Sequence, residues 1–247
     1  MKDALFYLVI FLSNIIQGIT GFAGTILAMP FSIRLVGIDV AVPVLNLLGL
    51  LSGIYVVAGN RKDVDTKILK PVIPIMGIAL LTGLFVRHLL SANVKLLHYI
   101  LGIIVVLVAL QGLFKKYISH NDSEKEHSKI LDVLILISAG LIHGMYVCGG
   151  PLLVCYLTKK AKKANVFRAT CSTIWILLNG TIFITHIVSG AFTTKVIIDS
   201  LIAVPVLLLG MYVGSRLYAR ISRDFFILLT YILLLIAGVS LFINRSR

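Results

Sequence analysis

Two short stretches of the chain combine glycines with residues that can donate hydrogen bonds. They are residues 18–25 (GITGFAGT) and 144–151 (GMYVCGGP). Glycine lets a ligand approach the backbone, and Pro151 suits the first turn of a helix, where its missing N–H would have no partner. If a helix starts at each stretch, its free N–H groups and the positive end of its dipole favour an anion. The pattern predicts one anion site built from both stretches.

Polar side chains within and beside the stretches can complete the shell around an anion without a permanent buried charge. For each of them, hydrogen bonding between helices is the alternative to ligand contact, and for the glycines the alternative is close helix packing. The candidate substrate-binding residues are Gln17, Gly18, Thr20, Gly21, Gly24, Thr25, Asn46, His143, Gly144, Tyr146, Cys148, Gly149, Gly150 and Asn179.

His143 and Cys148 are the two candidates with reactive side chains. An ionisable residue inside an apolar segment indicates function in a membrane protein, and a neutral histidine bonded to a neighbouring carbonyl is the alternative. A helix N-terminus would favour the thiolate of Cys148, which suits a sulfur-containing ligand, whereas a small packing residue is the alternative. An intramembrane enzyme using this thiol or histidine stays a rival interpretation, although the sequence offers no Gly-x-Ser-x-Gly turn.

The acidic residues argue against other chemistry. All ten Asp and Glu fall in connections or near the ends of apolar segments, with Asp199 the deepest, so a buried acidic proton relay is poorly supported. An anion channel is a further alternative, but no ring of pore charges is evident. The three cysteines lack metal-ligand spacing. We therefore expect no catalytic residue, no metal and no cofactor.

The composition places these stretches in a membrane protein. Hydrophobic residues make up 59% of the 247, and only 13% are charged, which is far from the balance of a soluble domain. The net charge of +13 arises from Lys and Arg between apolar segments, a pattern of membrane insertion rather than of nucleic-acid binding. We expect an all-α polytopic membrane protein in the plasma (inner) membrane.

Eight apolar segments follow along the chain. They cover residues 4–33, 40–58, 69–86, 94–114, 130–158, 166–188, 196–215 and 225–243. The first segment of each half is too long for one untilted span and is interrupted by glycines. Its arms, 4–17 with 25–33 and 130–142 with 151–158, are each too short to cross. This predicts a broken, re-entrant helical hairpin, followed in each half by three transmembrane helices.

The two halves are similar to each other. Moving from residue n to n+126 places Gln17 and Gly18 on His143 and Gly144, and Gly21 on Val147; with about five more residues inserted, Gly83 falls on Gly214. This indicates a duplicated transporter half. The predicted domains are a first repeat (1–116), a polar cytoplasmic linker (117–129) and a second repeat (130–247).

The distribution of basic residues favours an inverted arrangement of the repeats. If all eight segments cross once, the 23 Lys and Arg divide almost evenly between the two sides. If each first segment is a hairpin returning to its own side, more than two thirds lie on one side, as the positive-inside rule requires. Each half then has an odd number of crossings, which makes the halves inverted repeats with both termini outside.

Both stretches resemble the sulfite exporter TauE/SafE family of membrane transporters, and the resemblance extends over nearly the full length. The family's first pattern is Gly-x-x-Gly-Phe-Gly-Gly-Gly running to a proline, similar here to Gly18, Gly21, Phe22, Ala23, Gly24, Thr25 and Pro30. The second, Ser-Gly-x-x-Gly-x-Gly-Gly-Gly, is similar to His143, Gly144, Val147, Cys148, Gly149, Gly150 and Pro151.

This resemblance implies a secondary transporter, not an enzyme, working in the export direction. The implied substrate is a small anion such as sulfite, sulfoacetate or a related organosulfur compound. The expected partners are that anion, the lipid bilayer and further copies of the chain in a homo-oligomer, with no nucleic acid.

Overall fold

The structure is a computed structural model that describes residues 2–89, 129–147, 149–218 and 220, with isolated residues between 103 and 114 and between 225 and 239. The predicted segments 94–114 and 225–243 and the linker 117–129 lie largely outside the described residues, and Cys148 lies outside them as well. The described residues therefore cover the first three predicted segments of each repeat.

The described part is helical, with one short 3₁₀ turn at Arg61–Asp63. The helices are α1 (Lys2–Thr20), α2 (Ala23–Val36), α3 (Ile38–Gly59), α4 (Thr66–Leu89), α5 (Lys129–Tyr146), α6 (Gly150–Lys160), α7 (Ala164–Val188) and α8 (Thr194–Tyr218). By length and composition, five of them can cross a membrane, namely α1, α3, α4, α7 and α8. The predicted all-α membrane class is thereby confirmed.

One detail of the predicted first hairpin is wrong. Its first arm was expected to end at Gln17 and to be too short to cross, but α1 has 19 residues and is long and apolar enough to span. The helix continues through Gly18, which does not break it. A Cβ atom at Gly18 would lie 2.9 Å from the Met211 carbonyl oxygen, so glycine is needed at this position for packing against α8. The second arms, α2 and α6, have only 14 and 11 residues.

The chain reverses at equivalent positions in the two halves. Gly21 and Val147 both have a positive φ, 82° and 57°, and their N–H groups both donate to the carbonyl four residues earlier, that of Gln17 or His143, at 2.7 Å. An ion pair of 2.9 Å between Asp132 and Lys160 holds the start of α5 beside the end of α6. The elements α5 and α6 therefore form a hairpin.

The main helix pairs join a helix of one half to a helix of the other half. The first helix of each half packs along the last described helix of the other, α1 on α8 and α5 on α4, while α3 packs on its counterpart α7. The α3 and α7 helices run antiparallel, because Asn46 is near Asn179 whereas Gly53 is near Ile176. Every major contact in one half thus has its equivalent in the other.

Two glycine crossings permit the closest of these contacts. Gly18 meets Gly214 where α1 crosses α8, and Gly144 meets Gly83 where α5 crosses α4. A Cβ atom at Gly144 would collide with the carbonyl oxygen of Leu80. In membranes such small residues allow backbones to approach and to pack through dispersion forces. At Gly18 and Gly144 the geometry therefore indicates close helix packing rather than contact with a ligand.

Candidate functional site

A small cavity lies where the two hairpins meet. Five of the candidate residues from the sequence line it, together with side chains that the sequence did not single out. The lining residues are Gln17, Phe22, Thr25, Ile26, Gly49, His143, Val147, Gly150, Trp175 and Asn179.

Seven of the other candidates lie around this cavity without lining it, while Cys148 and the side chain of Tyr146 lie outside the described residues. Gly18 and Gly144 lie at the helix crossings, Gly21 forms the first break, and Gly24 packs against Gln17. Asn46 is buried behind the cavity at the crossing of α3 and α7. The remaining candidates are placed as follows: Thr20 ends α1, Tyr146 ends α5, and Gly149 immediately precedes α6.

His143 and two asparagines form a buried polar group beside the cavity. His143 is 2% exposed, and its Nε2 lies 3.2 Å from Oδ1 of Asn179. The Asn46 amide nitrogen donates to the same Oδ1 at 3.3 Å. An amide oxygen only accepts hydrogen bonds, so Nε2 of His143 carries the hydrogen and Nδ1 of the neutral ring is left as an acceptor. In the described part of the chain Nδ1 has no partner.

The start of α2 is already bound by the protein's own side chains. Thr20 Oγ1 accepts hydrogen bonds from the N–H groups of Phe22 and Ala23, at 3.4 and 3.2 Å. Gln17 Oε1 accepts from the N–H of Gly24 at 2.8 Å, while its amide nitrogen donates to Ser52 at 3.1 Å. Gln17 and Thr20 thus satisfy the first-turn donors of α2. Their hydrogen bonds hold the first hairpin in shape.

The start of α6 shows no such bonds from the described side chains. The residue equivalent to Gln17 is His143, whose Nε2 lies near Asn179 instead, and the side chain of Tyr146, the residue equivalent to Thr20, lies outside the described residues. Gly150, the first residue of α6, lines the cavity. The N–H of Gly150 and the positive dipole end of this helix therefore lie at the cavity boundary, while Pro151 contributes no N–H.

Among the described residues that line the cavity there is no carboxylate, lysine or arginine. Its polar groups are amides, a hydroxyl and an imidazole. Such neutral groups can bind a ligand reversibly. Among the described residues there is no cluster of three or more His, Cys, Asp or Glu able to hold a metal. The arrangement can bind a small anion through neutral donors.

One buried charge near the cavity was missed by sequence reasoning. Arg168 is not among the candidates named from the sequence, yet it lies inside α7 and is 4% exposed. The signal was its position inside the predicted apolar segment 166–188, two residues after its start. Trp175, two turns further along α7, stacks near His143 with ring centres 4.7 Å apart.

The described residues form helices, five of them long and apolar enough to cross a membrane, which defines a polytopic membrane protein. A family model described as "Sulfite exporter TauE/SafE" matches residues 6–241, nearly the whole length. The chain belongs to that family, as the two glycine stretches predicted. No curated protein and no solved structure matches the chain.

Proposed function

We propose that the chain is a secondary transporter that exports a small oxyanion or sulfonate, with sulfite, sulfoacetate or a related organosulfur anion as substrate. The observation that carries this proposal is the uncapped start of α6 at the cavity. Helix N-termini bind anions through free N–H groups and the dipole. The family description supports the choice of sulfite, and a place in the plasma (inner) membrane is part of the proposal.

The cavity offers both donors and acceptors to such a substrate. The start of α6, the Thr25 hydroxyl and the Asn179 amide can donate to anionic oxygens, whereas Nδ1 of His143 can accept. Hydrogen sulfite has oxygens that accept and a hydrogen that donates, so it can use both kinds of group. Because the described lining residues carry no fixed charge, the anion can be bound and then released.

Inverted repeats would give such a site a route for alternating access. The antiparallel packing of α3 on α7 supports inversion, because counterpart helices that both span a membrane then run in opposite directions. With 11 residues α6 is about 16 Å long, so starting from one interface it reaches the middle of a core of about 30 Å. Rocking of one repeat against the other then exposes the cavity to each side in turn.

Trp175 provides a direct test, because it is the only tryptophan of the chain and lines the cavity. Sulfite added to the purified protein should change Trp175 emission with saturation, and sulfoacetate should compete, whereas a cationic amine of similar size should not. Sulfite flux into proteoliposomes should saturate and show counterflow. Preferential binding of the amine contradicts the site, and flux that rises linearly without counterflow indicates a channel.

Labelling of single cysteines tests the topology. In a cysteine-free background, Lys129→Cys and Lys162→Cys should both react only from the cytoplasm, because α5 and α6 return to one side. Ser189→Cys, in the exposed turn after α7, should react only from outside. Labelling of residues 129 and 162 from opposite faces would restore single crossings and remove the inverted hairpins.

A further inference from the structure

Arg168 is a buried cation without a counter-charge in the described part of the chain. It lies in the second turn of α7 and is 4% exposed. The ion pairs of Lys160 with Asp132 and of Lys195 with Asp199 lie elsewhere, and no carboxylate of the described residues pairs with Arg168. Arginine is almost never fully buried unless it is paired, because an unpaired buried charge is costly.

The neighbours of the guanidinium compensate this charge only in part. One terminal nitrogen, Nη2, donates to Ser215 Oγ at 2.9 Å, and the central carbon lies 4.6 Å from the centre of the Tyr218 ring. The buried Nε has no hydrogen-bond partner. A guanidinium has five N–H donors in a planar fork, so this group retains the capacity to bind an anion.

Arg168 also lies directly against the break of the first hairpin. A Cβ atom at Gly21 would lie 3.0 Å from Cγ of Arg168, and the Ser172 hydroxyl donates to the Gly21 carbonyl at 3.4 Å. The next residue, Phe22, lines the cavity. Its ring packs edge-on against Phe167, with the ring centres 6.2 Å apart. The tip of this hairpin therefore lies between Arg168 and the cavity.

We propose that Arg168 forms a second anion-binding site, which takes an oxyanion or sulfonate at the cytoplasmic end before it passes Phe22 into the cavity. The planar fork can bind two oxygens of such a group at once, and Ser215 adds a hydroxyl. The two sites have different roles, because a fixed positive charge captures the anion and neutral donors hold it in transit. This inference rests on the proposed anion transport.

Counting bound anions tests the second site. Calorimetric titration of the full chain with sulfite should give two anions per chain, while Trp175 emission follows the cavity alone. In Arg168→Gln the calorimetric number should fall to one, with the Trp175 response retained. A single anion per chain in the unmodified protein, together with a Trp175 response, overturns the second site and leaves the proposed function standing. No Trp175 response at all contradicts the proposed function itself.

Two further variants separate a specific site from general surface charge. Arg216→Gln removes the same charge from an exposed arginine that stacks on Tyr212, 5.2 Å from its ring centre, and should still bind two sulfite ions. Arg168→Lys keeps the charge without the fork and should bind the second anion more weakly. In proteoliposomes with sulfite on the cytoplasmic face, Arg168→Gln should raise the half-saturating concentration at least about tenfold. An equal loss in Arg216→Gln overturns the proposal.

Discussion

Replacing Gly150 with leucine is expected to abolish transport while the protein stays folded. A Cβ atom at Gly150 would lie 2.5 Å from Cδ1 of Ile26, the movable end of a side chain, and the next nearest atoms are 3.7 Å away. The site can therefore admit the first carbon by a small shift, and the rest of the leucine side chain occupies the cavity at the start of α6. Sulfite flux in proteoliposomes should fall at least about a hundredfold, as expected when several kcal/mol of anion binding are lost.

Gly180→Leu is the matched control for this substitution. Gly180 lies on α7 beside Asn179, but a Cβ atom there would have only Leu50 Cδ1 near it, at 4.0 Å. This variant should retain flux and thermal stability close to those of the unmodified protein. Normal flux in Gly150→Leu would show that the start of α6 does not hold the substrate, and the anion site would then have to be sought elsewhere.

The second large effect concerns stability. In Gly83→Ala the added Cβ atom would collide with the carbonyl oxygen of Leu141 and lie 3.2 Å from the Cα atom of Gly144. Both are backbone atoms, so α4 and α5 must separate. We expect the free energy of unfolding to fall by about 2–3 kcal/mol, as for other overpacked interiors. Reversible unfolding in mixed detergent measures this change.

Gly77→Ala on the same helix is the control. A Cβ atom at Gly77 has no neighbour within 4 Å, and alanine favours a helix over glycine by about 1 kcal/mol. This variant should be as stable as the unmodified protein or more so. Gly214→Ala, at the equivalent crossing of α8 over α1, should behave like Gly83→Ala. Equal stability of the Gly77 and Gly83 variants would show that the crossing is not tightly packed.

The parts of the fold predicted from the sequence are those that depend on neighbouring residues. The lengths of the apolar segments predicted the helices. The clustered glycines predicted the two breaks and the short second arms that follow them. The repeat also placed Gln17 at the position of His143, and both line the cavity. Such features depend on helix length and local backbone freedom, and both can be predicted from the residues of a single segment.

The parts that were missed depend on contacts between distant segments. Whether Gln17 turns to a ligand or to Gly24 is decided by the return of α2 and by Ser52 on α3. The burial of Arg168 depends on Ser215 and Tyr218, at the far end of α8. The repeat aligned Gly83 with Gly214 without revealing which helices they cross. No periodicity within one segment carries this information.

The exchange of helices between the halves has a consequence for biosynthesis. Tyr7 on α1 bonds to Asp199 on α8, a partner 192 residues later. At a synthesis rate of about 5–20 residues per second, α1 waits about 10–40 s for that partner to leave the ribosome. Asn14, buried against Gly210 in the finished fold, donates to the carbonyl oxygen of Ile10 in its own helix at 2.8 Å, so α1 can hold this polar group before α8 is made. The helix α1 thus reaches its native position only after α8 has been synthesised.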